Sequence, residues 1–210
     1  MTAPVRAAYD ELVAAHELKP DPAQERAVAA LDRLAASVED HRGLLSRLFR
    51  AEEPAPAGVY LWGGVGRGKS MLMDLAFAHI HVEPKRRVHF HEFMLQTHAR
   101  LRVARERHEG DPIEPVAEEI AAEAKLLCFD EMQVTNPADA MILSRLFGKL
   151  LEEGVKVVTT SNRAPSDLYK DGLNRDLFRP FIRLIEEEML VVPVNGPTDY
   201  RLERLSGVEV

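Results

Sequence analysis

The chain has 210 residues, 46% hydrophobic and 29% charged, with a formal net charge of −7. That length can bury one sizeable core, and the charge leaves no global field drawing the protein to nucleic acid or an anionic membrane. One cysteine excludes an intramolecular disulfide, and no uncharged apolar run is long enough for a signal peptide or a membrane span, so a cytoplasmic protein without membrane insertion is expected.

Residues 1–57 read as an N-terminal helical extension and linker. Val5, Tyr9, Leu12 and Val13 make one apolar stripe, and Val28, Leu31, Leu34, Ala35 and Val38 make a second in a helix that Asp21 caps and Pro22 starts. Residues 51–57, with two prolines, form the linker. From residue 58 onward, strand-like runs at 58–62, 87–91, 126–130, 155–160 and 189–192 alternate with helical stretches. The third and fourth runs are almost wholly apolar, as strands buried on both faces of a parallel sheet require. A helix is expected from Asn136-Pro137, closed by Gly154. The fold class is a three-layer α/β domain with a five-stranded, mainly parallel sheet.

Between the first strand and the next helix stand Gly63, Gly64, Val65, Gly66, Arg67, Gly68, Lys69 and Ser70, a complete G-x-x-x-x-G-K-[ST] loop running into Met71. Polyphosphate needs backbone N–H groups turned inward at close range, which glycine permits, and a helix N-terminus to supply positive dipole. Lys69 supplies charge for the β- and γ-phosphates, and Ser70 a hydroxyl for Mg²⁺. The chain is expected to bind a nucleoside triphosphate with Mg²⁺, and the cofactor pair to be ATP and Mg²⁺ if it is the ATPase that the resemblance below implies.

In Leu126-Leu127-Cys128-Phe129-Asp130-Glu131 four apolar residues run into two carboxylates. Ligands of open α/β sheets sit at the carboxyl ends of strands, so Asp130 is delivered beside the phosphate loop, where it can hold the Mg²⁺ shell. Glu131 would point the other way, placed to orient and deprotonate an attacking water. The next strand ends in Thr159-Thr160-Ser161-Asn162, whose terminal amide can bond both the γ-phosphate and that water. Alone, Asn162 before Arg163-Ala164-Pro165 is equally an ordinary turn leading to a helix start at Ser166.

In this order the three elements resemble the AAA+ ATPase module. Tyr60 to Lys69, Arg87 to Met94, Cys128 to Thr135, and Thr160 to Pro165 followed by Asp167 to Arg175 are more specifically similar to the ZapE-type ATPases, bacterial cell-division proteins with mitochondrial lactation-elevated relatives. The resemblance runs from about Tyr9 to the C-terminus. It implies an ATPase that forms a homo-oligomeric ring, a hexamer in the AAA+ pattern, and destabilises polymers of the tubulin-like protein FtsZ or acts on another protein client. In mitochondria it implies protein quality control. It also implies a finger arginine supplied by the neighbouring subunit, which Arg175 matches, with Arg179 and Arg163 in reserve; an ion pair of Arg175 with Asp171 or Asp176 is the alternative. Family members continue into a helical lid, whereas this chain stops at Val210 and reads as a core truncated before it or as a genuinely short member. A DNA-directed relative such as a helicase loader shares the core but would carry a basic domain, so no nucleic acid is expected.

Weaker signals remain. Gln24 is placed either against the adenine or as a capping-box partner of Asp21. His79, His81, His89, His91 and His98 lack the accompanying cysteines of a metal site, although His89 and His91 would share a strand face. Phe93-Met94 is read as core packing, with an aromatic pore loop as the alternative. Arg100, Arg102, Arg105 and Arg107 are spread around their helix and read as a solvated face.

Overall fold

The computed structural model describes residues 3–39, 55–66, 68–107 and 110–195. Arg67, residues 51–54 of the expected linker, and residues 196–210, to which the expectation of a missing lid refers, lie outside them.

The chain opens with α1 (Pro4–Ala14) and α2 (Pro22–Glu39), the second started as its sequence directs: the Asp21 carboxylate accepts the Ala23 N–H at 2.7 Å and the Gln24 N–H at 3.4 Å. Then come β1 (Gly58–Trp62), α3 (Lys69–His79), β2 (Lys85–His89), α4 (Phe90–Arg107), α5 (Ile113–Glu123) and β3 (Leu126–Asp130). After β3 follow α6 (Pro137–Glu152), β4 (Lys156–Ser161), two single 3-10 turns (Pro165–Asp167 and Arg175–Leu177), α7 (Arg179–Glu188) and β5 (Met189–Pro193). The five strands form one sheet in the order β2-β3-β4-β1-β5, every neighbouring pair parallel.

Period-two alternation divides the apolar residues between the two faces. Leu126 and Cys128 of β3 face a cluster with Val59, Leu61 and Val158 that is covered by α1, α2 and α3. Leu127 and Phe129 face the opposite cluster, under α4 to α7. The N-terminal helices therefore lie on the sheet, with Val5, Tyr9, Val28, Leu31 and Leu34 buried against its strands and α3. On the other face Phe129 is the centre of an aromatic group, its ring 4.7 Å from Phe93, 5.9 Å from Phe90 and 5.7 Å from Phe147. Phe93 and Met94 are core residues of α4.

The structure differs from the sequence reading in two places. The second strand spans Lys85–His89, two residues before the expected run, and Phe90 opens α4 without a loop. Phe90, Phe93, Met94, Thr97, Leu101 and Ala104 are all buried at helical spacing, and this longer periodicity overrides the short His-Phe-His alternation. His91 therefore lies on a helix, so it shares no strand face with His89. Likewise the helix expected from Ser166 is a single 3-10 turn, and Arg175 sits in the second such turn before α7.

Candidate functional site

The strand order sets out the site. β4 lies between β1 and β3, so its tip separates the phosphate loop, which follows β1, from Asp130, the last residue of β3. Trp62 pairs with Ser161, so Asn162, exposed and one residue beyond β4, stands level with Gly63 at the start of the loop.

The loop has the backbone that its glycines allow. Gly66 (φ 79°) and Gly68 (φ 83°) are left-handed, and a Cβ on Gly63 would come within 2.5 Å of Asn195 Oδ1. Gly64 N–H donates to that same Asn195 Oδ1 at 3.2 Å, while Val194 N–H donates to Trp62 O at 2.7 Å. The end of β5 thus braces the loop. The buried Lys69 ammonium donates to Gly63 O at 2.8 Å and Gly64 O at 2.7 Å, closing the loop on itself. Gly68 caps α3 without a side-chain bond to the helix, and Ser70 is exposed and Met71 half-buried in its first turn.

Gln24 is fully buried, and its Nε2 lies 2.6 Å from where a Gly68 Cβ would stand. Tyr9 OH donates to Gln24 Oε1 at 3.4 Å and accepts Asp21 N–H at 3.3 Å. The Asp21 N–H that a reciprocal capping box needs is thus bonded by Tyr9, and the Gln24 amide is turned toward the loop.

Asp130 is 9% exposed. Arg87, from the edge strand β2, donates through Nε to Asp130 Oδ2 at 2.7 Å and through Nη2 to Oδ1 at 3.3 Å, and its Nη1 bonds the Asp74 carboxylate on α3. Hydrogen bonding to Asp130, then to Asp74, holds the guanidinium above its usual pKa against the opposing effect of burial. Asp74 lies one helical turn beyond Ser70, so this bridge brings the Ser70 face of α3 toward Asp130. A hydroxyl and a carboxylate are hard oxygen donors of the kind Mg²⁺ takes, alongside phosphate oxygens and water.

After Asp130 the backbone turns sharply. Glu131 adopts φ 56°, its N–H donates to Thr160 Oγ1 at 3.0 Å, and Met132 N–H donates to Thr160 O at 2.7 Å. A left-handed glutamate is a strained conformation, held here by the tip of β4, and it leaves the Glu131 side chain exposed beside the buried Asp130. Buried Thr159 donates to Phe129 O at 3.3 Å and Ser161 to Met132 O at 2.8 Å, so the polar end of β4 is satisfied.

Arg175 Nη2 donates to Ser166 O at 2.5 Å, and its buried Nε has no partner among the described residues. The alternative ion pair is not formed among them: Asp176 pairs with Arg179, at 3.2 Å. Arg163 is exposed, with its carbonyl accepting Tyr60 OH at 2.9 Å. Of the histidines, His98 bonds Asp139 at 2.6 Å, and no group of three or more His, Cys, Asp or Glu among the described residues could hold a metal ion. Arg100 pairs with Glu119 and Glu123 of α5, whereas Arg102, Arg105 and Arg107 are exposed. The sequence reading missed Arg87, Asp74, Tyr9 and Asn195. The one available signal was the run of cations in the strand neighbouring the Asp130 strand.

A parallel sheet in this order, with a phosphate loop after β1 and paired carboxylates at the end of β3, defines a P-loop nucleoside triphosphatase of the AAA+ type. The chain belongs to the AFG1-like ATPase family, which matches residues 2–210. An uncharacterized protein of Schizosaccharomyces pombe is 39% identical over 218 residues, 87% of this chain and 48% of that one. Cell division protein ZapE of Escherichia coli is 44% identical over 149 residues, 71% of this chain and 39% of that one. The chain therefore spans less than half the length of these relatives. Among solved structures, DnaI superposes with a TM-score of 0.56 at 18% identity over 88% of this chain and 87% of that one, a likeness of fold alone.

Proposed function

We propose that the protein hydrolyses ATP with Mg²⁺, at a site completed between subunits of a homo-oligomeric ring, and uses the energy to remodel a protein assembly. The observation that carries this reading is the placement of Lys69 and Asp130 on either side of the β4 tip that leads to Asn162. The backbone N–H groups from Gly63 to Gly66 and from Gly68 to Met71 are assigned to the phosphates, as is Arg67, which lies outside the described residues, and Lys69 exchanges its two loop carbonyls for phosphate oxygens. Ser70 and Asp130 are the residues that would hold Mg²⁺, which when bound neutralises charge on the β- and γ-phosphate oxygens. Glu131, exposed beside Asp130, takes the proton of the attacking water, and Asn162 orients that water. Gln24, buried against Gly68, stands on the adenine side. Arg175 reaches the neighbour's γ-phosphate; its only bonded acceptor among the described residues is a neutral carbonyl, which a phosphate oxygen outcompetes.

The likeness to cell division protein ZapE supports a role in cell division; FtsZ polymers are the client proposed for it, and the cytoplasm the proposed location. Two variants test the chemistry. Lys69→Ala is expected to weaken ATP binding itself. Glu131→Gln keeps size and hydrogen bonding, so binding should persist while phosphate release falls by roughly 10²-fold or more. Equal loss of binding in both variants would remove Glu131 from the role of base.

A further inference from the structure

Asp130 presents a physical problem before any nucleotide arrives. A carboxylate that is 9% exposed carries a desolvation cost unless both its oxygens are engaged. Arg87 engages both, with Nε on one oxygen at 2.7 Å and Nη2 on the other at 3.3 Å. Those are the oxygens through which Asp130 would meet a divalent cation, so guanidinium and cation cannot both hold them fully. The third contact of the fork supplies the remedy. Nη1 bonds Asp74, a carboxylate 60% exposed on α3, where the charge of Arg87 remains compensated after it loosens its hold on Asp130.

We propose that Arg87 is a resident stand-in for the divalent cation: it orients and neutralises Asp130 in the empty site, and passes its weight to Asp74 when the cation loads. This rests on the reading of Asp130 as a residue of the Mg²⁺ shell. Arg87 is a positioning residue here, since it acts through Asp130 and not on the substrate. The planar fork is essential to the device, because it addresses three oxygens on two elements at once, which a lysine ammonium on a flexible stem does not do.

The two anchors give opposite signs. Without Arg87 the cation meets no competitor, and it relieves a carboxylate otherwise buried unpaired. Without the Asp74 charge, Arg87 has no second anchor and holds Asp130 harder. The measurement is Mn²⁺ binding to the full chain saturated with a non-hydrolysable ATP analogue, read by electron paramagnetic resonance, with thermal unfolding of the empty protein alongside. Arg87→Ala is expected to lower the half-saturating Mn²⁺ concentration roughly fivefold and to lower the melting temperature of the empty protein, with much of that loss regained on adding Mn²⁺ and analogue. Asp74→Asn, at an exposed position, is expected to raise half-saturation by a similar factor. A rise for Arg87→Ala, or no change in either variant, would overturn the proposal and leave Arg87 a strut between β2, β3 and α3. Should Arg87→Ala fail to fold, the sign for Asp74→Asn decides alone. Wild-type protein that bound the analogue but gave either overturning result would defeat this inference only; wild-type protein that bound no analogue would defeat the ATP-site reading with it.

Discussion

Gly68 is the residue at which the phosphate loop meets the N-terminal helices. Its φ of 83° is a conformation that alanine adopts at a cost of about 1–2 kcal/mol, and the added methyl would stand 2.6 Å from Gln24 Nε2. Gly68→Ala is therefore expected to lose at least that stability in chemical denaturation and to weaken nucleotide binding, because Gln24 is fully buried and held by Tyr9. Unchanged nucleotide affinity would mean that Gln24 gives way freely and leaves the loop undisturbed. Cys128 is inert by contrast: burial pushes its thiol up to about 12, so at neutral pH it packs as a small apolar group. The placement of the loop after β1 and of Asp130 with Glu131 at the end of β3 was legible in the sequence, because these residues are neighbours along the chain. Arg87 meets Asp130 across 43 positions and Asn195 meets Gly64 across 131, and no local pattern announces contacts of that range.

At the scale of elements, β3 is the strand that both layers need. All five of its residues are buried, the four apolar ones alternating between the two apolar clusters, and this hydrophobic run made it legible as a central strand. Phe129 lies against Phe90, Phe93 and Phe147, which belong to α4 and α6. Phe129→Ala should cost about 3–5 kcal/mol, read from the denaturation midpoint at constant slope. A cost under about 1 kcal/mol would mean that the aromatic group collapses into the space. The edge strand was harder to read, for a physical reason. β2 buries one residue well, Val88, and its cations are tolerated because an edge is half open to water, so its hydrophobic signal is weak and the adjoining helix blurred its boundary. The 3-10 turns after β4 are also short of local information: Asn174 is left-handed (φ 56°), and Tyr169 folds over Gly172 to bond Leu173 O at 2.9 Å, closures that no periodicity encodes.

For the whole molecule, the proposal that the site is completed between copies makes activity a collective property. Specific activity is expected to climb with protein concentration, and Arg175→Ala should lose turnover while keeping nucleotide affinity. Mixing Arg175→Ala with Glu131→Gln should restore part of the activity, because a mixed interface can pair an intact glutamate with an intact arginine from the neighbour; arginine fingers contribute ~10³–10⁵ in rate, so even a small mixed fraction is detectable. Phosphate release per chain that stayed flat across a dilution series of a confirmed monomer would place the whole site within one copy. The brace between Asn195 and the phosphate loop matters in a further way, for how the protein is made. Its two ends are 131 positions apart. Translation runs from the N-terminus, so the loop emerges from the ribosome long before the residue that shapes it. A nascent chain is therefore expected to hold the loop without this brace until β5 has been synthesised and docked beside β1, so that the proposed nucleotide site is finished only late in synthesis.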